Sequence, residues 1–346
     1  MAGEKTIREI MRQPKAFEMV EKQFDDFKVE INKAFENEFD EVIFLGCGTS
    51  FYLASTLASY FEKFNDISAK FIASYEFYLN TDNYIKPNKK YLIVPLTRVA
   101  STTETFRAVK KGKEYSNVKS LAITCDDYSY DYNDYVLYIK DMFEESIVMT
   151  SSYTAMLYAG MFMSLVVSGV QNVQEELRNL GKASVQFVEN ANKSIEQFAK
   201  TVTDLKVFVG LGTGASYGLG GEASIKIKEM CLIPSEVFST LEYRHGPISI
   251  ADSKAVYAVF VEDNCVNESL SLIKELKALN AKVLTFGHIT DEIAEISDLS
   301  FKDVLNNVTS LPSMIIPLQL LGAYISIEKG LNPDVPRGLT KAVILK

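Results

Sequence analysis

The chain carries the same turn twice. "VIFLGCGTSFYLA" at 42 to 54 is matched by "VFVGLGTGASYGLG" at 207 to 220, with Gly48 aligned to Gly212 at an offset of 164 residues. Each copy reads as a buried β-branched strand, a Gly/Ser/Thr turn and a helix, which is the opening of an α/β unit. The elements that follow repeat as well: strands at "YLIVPLT" and "AVYAVFV", helices, then "SLAITCD" and "KVLTFG", then "YVLYI" and "LSFKDV". A repeat of this length constrains the fold more than any single element does. It predicts two doubly wound parallel-sheet α/β domains, a count that 346 residues also favour. The expected organisation is a helical segment over 1–30, a first domain over 31–172, a helical connector over 173–200, a second domain over 201–335 and a tail over 336–346.

The two copies differ where ligands of such sheets bind, at the carboxyl ends of the strands. The first continues into Thr97, Arg98, Val99, Ala100, Ser101, Thr102, Thr103, Glu104 and Thr105, a hydroxyl-rich start to a helix. Backbone N–H groups at a helix N-terminus, together with Ser/Thr hydroxyls, cradle a phosphate. Cys47-Gly48-Thr49-Ser50 supplies a second hydroxyl-bearing turn beside it. The plainer alternative is an ordinary N-cap, for which Ser and Thr are the usual residues. The second copy has Glu262-Asp263-Asn264 at the equivalent place, and two carboxylates repel a phosphate. One anion site per chain is therefore expected. "GCGTSF" and "GLGTGA" do not complete the Gly-x-Gly-x-x-Gly spacing, which disfavours a dinucleotide.

Acid/base chemistry has its best candidates between 222 and 247. Glu222, Lys226 and Glu229 stand at i, i+4 and i+7, and so share one face of a helix. His245, followed by Gly246-Pro247, is one of two histidines in the chain. The bland alternative is a solvated Glu-before-Lys pair, stabilising the helix by about 0.2–0.5 kcal/mol, with His245 in a surface loop. His288 carries no motif and reads as a loop residue.

Composition narrows the function classes. A net charge of −9, without Lys/Arg clusters interleaved with aromatics, argues against a nucleic-acid face and for a small-molecule ligand. Cys47, Cys125, Cys231 and Cys265 show neither metal-ligand nor disulfide spacing, which fits a reducing cytosol and no metal or other cofactor. "MAGEKTIREI" lacks the apolar core of a signal peptide. The uncharged run from Ser151 to Val170 is long enough to weigh as a membrane span. Its Ser, Thr and Gly content and its acidic flank, with no basic one, favour a buried helix, so no membrane partner is expected.

These motifs together resemble the SIS (sugar isomerase) domain family, in the tandem arrangement of the isomerase half of glucosamine-6-phosphate synthase. The resemblance runs from "REIMRQP" at 8 to 14 through "GCGTS" and "VMTSSYT" to "EASIKIKE", "EYRHGP" and "DVPRGLTKAV". It implies SIS-type, flavodoxin-like domains and a phosphosugar substrate, without glutaminase activity, since no glutamine-hydrolysing domain precedes "MAGEK". By resemblance, phosphate and sugar lie against Cys47, Gly48, Thr49, Ser50, Thr97, Arg98, Ser101 and Thr102, with Val148, Thr150 and Ser151 near the ring. Glu229 would move a proton between C1 and C2. His245, from a second subunit, would open the ring, and Lys341 would hold the keto sugar. Glu222 and Lys226 would share protons with the sugar oxygens. Without the resemblance, Lys341 is simply a lysine of a solvated tail.

One departure stands out. The family's phosphate loop reads Ser-x-Ser-Gly-x-Thr, whereas here Val99 replaces the second Ser and Ala100 the Gly. A hydroxyl is lost, and a Cβ enters where backbone should approach the anion; Arg98 or Ser101 would have to compensate. The sequence is thus read as a cytoplasmic homodimeric enzyme with shared active sites. It would isomerise an amino-sugar or fructosamine 6-phosphate, coupled to deamination or deglycation. The apolar runs 153–170 and 313–325 are read as spare helix surface for the dimer. A simple phosphosugar isomerase is the nearest variant, and a non-catalytic sugar-phosphate sensor is the rival from another class.

Overall fold

The computed structural model describes residues 2–127 and 132–345. The chain divides into two compact units. One comprises Lys15–Glu144, Ser151–Arg178 and Thr340–Lys346, and the other Met1–Pro14, Glu145–Thr150 and Asn179–Leu339.

The first unit is built on five parallel strands: β1 (Glu41–Gly46), β2 (Ser68–Ala73), β3 (Tyr91–Thr97), β4 (Val118–Thr124) and β5 (Tyr135–Tyr138). Their order is β2-β1-β3-β4-β5. The second unit holds β6 (Val207–Gly212), β7 (Ser235–Ser239), β8 (Ala255–Val261), β9 (Lys282–Gly287) and β10 (Leu299–Lys302), in the order β7-β6-β8-β9-β10. Each sheet thus has the flavodoxin-like 2-1-3-4-5 order, which reverses direction between its first and third strands and opens a crevice there. The doubly wound, twofold α/β architecture predicted from the repeat is what forms.

The repeat itself needs a correction. β1 and β6 end at Gly46 and Gly212, and the residues capping the next helices are Gly48 (φ 55°, ψ −124°) and Gly214 (φ 56°, ψ −128°). Gly48 therefore corresponds to Gly214, and the true offset is 166, not 164. Gly210, Gly212 and Gly214 alternate, so two registers look alike as letters; only one puts a positive φ at the cap. The last strand residue is Gly for a different reason. A Cβ on Gly46 would lie 2.1 Å from the Ser50 carbonyl oxygen, and one on Gly212 would lie 2.5 Å from that of Ser216.

β2 and β7, which the sequence reading did not pick out, are edge strands. "SAKFIA" and "SEVFS" are only partly buried and lack the apolar run of a central strand. The polar region near 175 to 200 forms helices Gln171–Leu177 and Leu180–Ala199.

The uncharged run is a core helix, Ser151–Ser168, buried from Ser151 through Leu165. It packs on helix Thr49–Phe64, where Gly160 lets Leu57 approach, and Phe162 stacks on Phe24 with ring centroids 3.8 Å apart. In the second unit, helix Ile316–Glu328 is buried against helices Ala215–Cys231 and Leu180–Ala199. Residues 153–165 and nearly all of 313–325 are therefore buried within the chain itself, which accounts for their apolar character without a second copy. Among the described residues, one stretch, Leu311–Glu328, is long and apolar enough to cross a membrane, and 83% of it is buried.

Candidate active site

The candidate residues fall in both units. Cys47, Gly48, Thr49, Ser50, Thr97, Arg98, Ser101, Thr102, Ser151 and Lys341 belong to the first. Val148, Thr150, Glu222, Lys226, Glu229 and His245 belong to the second.

In the second unit, helix Ala215–Cys231 lies on β6 and β7, with Glu222, Lys226 and Glu229 along one face. The solvated-pair alternative fails, because the side chains of Glu222 and Lys226 are both completely buried. The Lys226 ammonium lies 3.6 Å from Glu222 Oε1 and 2.5 Å from Glu229 Oε2, and the Glu229 side chain keeps 21% exposure. Two buried charges are tolerated only when paired. A single cation held between two carboxylates, the outer one reaching solvent, is equipment for passing a proton.

His245 sits between two one-turn 3-10 helices, Glu242–Arg244 and Pro247–Ile250, with its imidazole exposed. Its neighbours fix the turn. The Tyr243 hydroxyl is 2.9 Å from that of buried Tyr257, and Arg244 reaches both oxygens of Glu275 at 2.9 and 3.0 Å. Val148 and Thr150 are buried, and the Thr150 carbonyl accepts from Gln319 at 3.4 Å.

In the first unit, the loop after β3 leads into helix Thr103–Gly112. The Thr97 and Thr102 hydroxyls both donate to the Val99 carbonyl, at 2.7 and 3.1 Å. The Ala100 N–H is given to Asp126 Oδ2 at 3.0 Å, and the Thr103 N–H, the first of the helix, to the Val343 carbonyl of the tail at 3.2 Å. Ser101 is exposed. Across the sheet crevice, Gly48 caps the helix beginning at Thr49 and Ser50, both buried. Cys47 contacts Thr105 at 3.8 Å, and burial pushes its thiol pKa up.

Arg98, Ser151 and Lys341 converge on one residue, Glu144. Arg98 Nη1 lies 3.0 Å from its Oε2, the Ser151 hydroxyl donates to its Oε1 at 3.1 Å, and the Lys341 amine donates to its carbonyl. Lys341 also lies 4.8 Å over the Phe143 ring. A pocket of about 250 Å³ opens here, lined by Arg98, Asp126, Asp127, Tyr138, Glu144 and Lys341 among others. Lys341 is thus anchored, which only the family pattern had indicated. Asp126 and Glu144 belong to no motif in the sequence; Glu144 lies in the acidic flank of the apolar run.

The equivalent end of the second sheet is acidic, as the sequence indicated. Glu262 Oε2 accepts from Asn307 at 3.2 Å, and His288 pairs with Asp263 at 2.8 Å rather than being a bare loop residue. Burial, with Asp263 and Glu262 nearby, pushes the Asp303 pKa up to about 7. Among the described residues, no group of three or more His, Cys, Asp or Glu side chains is arranged to hold a metal ion.

A family model described as "SIS domain" matches residues 38–166. A solved structure of glucosamine-6-phosphate deaminase from Thermotoga maritima shares 30% identity with a TM-score of 0.82, over 99% of this chain and 100% of that one. The chain belongs to the SIS domain family. Tagatose-6-phosphate ketose/aldose isomerase from Escherichia coli has the same fold, with a TM-score of 0.82 at 20% identity over 99% of this SIS chain and 96% of that one. Glutamine--fructose-6-phosphate aminotransferase [isomerizing] from Methanothermobacter thermautotrophicus is 26% identical over 98% of this chain and 57% of its own length. The SIS chain therefore spans little more than half of such curated relatives.

Proposed function

We propose that this SIS protein is a phosphosugar isomerase-type enzyme acting on an amino-sugar or fructosamine 6-phosphate and releasing ammonia or an amine. The observation that carries the reading is Lys226, buried between Glu222 and the partly exposed Glu229. The 30% identical relative, named a glucosamine-6-phosphate deaminase, supports the choice of a nitrogen-bearing sugar.

In this reading Glu229 removes the proton from C2 of an open-chain 2-amino aldose and returns it to C1. The aldehyde carbon becomes CH₂OH, O1 gaining a proton as the amine nitrogen loses one, and C2 becomes an imine. Water adds to the imine, ammonia leaves, and a ketose remains. A single positioned base serves both transfers. Lys226 keeps positive charge beside the developing enolate oxygen, and Glu222 balances Lys226 when no substrate is present. Following the family roles, Lys341 holds the keto sugar and His245 of a second copy opens the ring. The phosphate is assigned to the Thr49, Ser50, Thr97 and Thr102 turns.

The test incubates the chain with glucosamine 6-phosphate, fructosamine 6-phosphates and fructose 6-phosphate in D₂O. Released ammonia or amine is measured, together with deuterium at C1 and C2. Nitrogen release with exchange at these carbons supports the proposal. Exchange without nitrogen release would reduce it to a simple isomerase. Binding without exchange would point to a sensor.

A further inference from the structure

Within the first unit, Glu144 gathers more structure around its carboxylate than its place in a loop requires. Its side chain is fully buried, and that of Arg98 is only 11% exposed. Besides Arg98 and Ser151, it takes the backbone N–H of Ser152 at 3.2 Å and the Ser152 hydroxyl. It thereby caps helix Ser151–Ser168 with a negative charge, where the helix dipole favours one. Arg98 Nη2 also donates to the Lys341 carbonyl at 3.3 Å, so the loop after β3, the start of the helix and the tail all meet at this residue.

Arg98 is the cation of the loop that lost a hydroxyl at Val99 and gained a Cβ at Ala100. It is the natural candidate to compensate for both, yet its guanidinium is committed to a buried carboxylate. We infer that Glu144 is a positioning residue that holds the Arg98 charge away from the anion site and so sets how tightly that site grips a phosphate. The inference rests on the proposed phosphate assignment. The pairing neutralises Arg98 locally, and a buried guanidinium bonded to a carboxylate is not free to reorient. Replacing the carboxylate by an amide keeps shape and hydrogen bonding but returns one unbalanced positive charge to the loop.

Inorganic phosphate is the probe, with affinity measured by calorimetry on the unsubstituted chain, Glu144→Gln, Arg98→Gln and the double variant. Glu144→Gln is expected to tighten phosphate about five- to tenfold, as one unit charge acting through partly solvated protein implies, while turnover falls. Affinity and turnover moving in opposite directions is not what a merely loosened structure gives. Arg98→Gln should change phosphate affinity by less than about twofold, and the gain should be absent in the double variant.

A tenfold loss in Arg98→Gln would make Arg98 a direct phosphate ligand and overturn the inference, even if Glu144→Gln did not fold. A gain that persists in the double variant would overturn it too, since Glu144 would then act without Arg98. Phosphate that fails to bind the unsubstituted chain would overturn the anion-site assignment itself, a result distinct from binding that ignores Glu144.

Discussion

The ammonium of Lys226 lies 2.5 Å from the carboxylate of Glu229, and Lys226 is wholly buried while Glu229 reaches solvent. The two residues therefore make different demands. Glu229→Gln removes the proposed base but leaves Lys226 paired with Glu222, so turnover should fall about 10²–10⁴-fold with substrate binding retained. Lys226→Met strips the buried Glu222 of its cation, and stability to urea should fall by about 3–5 kcal/mol. Equal stability losses in the two variants would remove the distinction.

Asp303 gives a pH signature. Its pKa is near 7 in the folded chain against an ordinary 3.8, because burial and the neighbouring Asp263 and Glu262 oppose its charge. Between about pH 4 and 7 the folded state binds more protons here than the unfolded state. Stability should therefore fall as pH rises through that window. Asp303→Asn should flatten the dependence, raising the melting temperature at pH 8 more than at pH 5. A parallel shift at both values would rule this out.

The tail offers a third measurement. Truncation after Lys341 keeps the amine but removes the Val343 carbonyl from the Thr103 N–H, and the Leu345 N–H from the Thr103 hydroxyl. One returned donor corresponds to about 1 kcal/mol. Inorganic phosphate should thus bind about fivefold tighter, as read by titration calorimetry. Unchanged affinity would mean that the anion does not use this helix end.

Sharing of the site between copies is tested by mixing subunits. His245→Ala and Glu229→Gln, each inactive alone, should recover up to about half of parental turnover in verified heterodimers, because one of the two shared sites is intact. No recovery would place both residues in one chain's site.

Much of this was legible in the sequence, and the reasons differ by element. Central strands such as "YLIVPLT" and "AVYAVFV" are buried on both faces and read as continuous apolar runs. β2 and β7 face solvent at sheet edges and leave weaker traces. The shared face of Glu222, Lys226 and Glu229 follows from helical spacing, whereas the complete burial of the first two depends on how helix Ala215–Cys231 packs in the folded unit, against β6, β7 and helix Ile316–Glu328 among others. Glu144 and Asp126 could not be found by motif. Each acquires its role from a partner far along the chain, Glu144 from Arg98 and Asp126 from Ala100.

The loop after β3, to which the phosphate is assigned in the proposed function, sets the terms of ligand exchange there. The Thr97 and Thr102 hydroxyls are spent on Val99, one N–H on Asp126 and another on Val343. An anion arriving there trades hydrogen bonds and adds few, so its association enthalpy is a difference between two sets of similar size. The displaced groups stay tethered at hand and re-form their bonds when the anion leaves. Such a loop loads and unloads on a shallow free-energy slope, which suits the proposed turnover of a phosphorylated substrate.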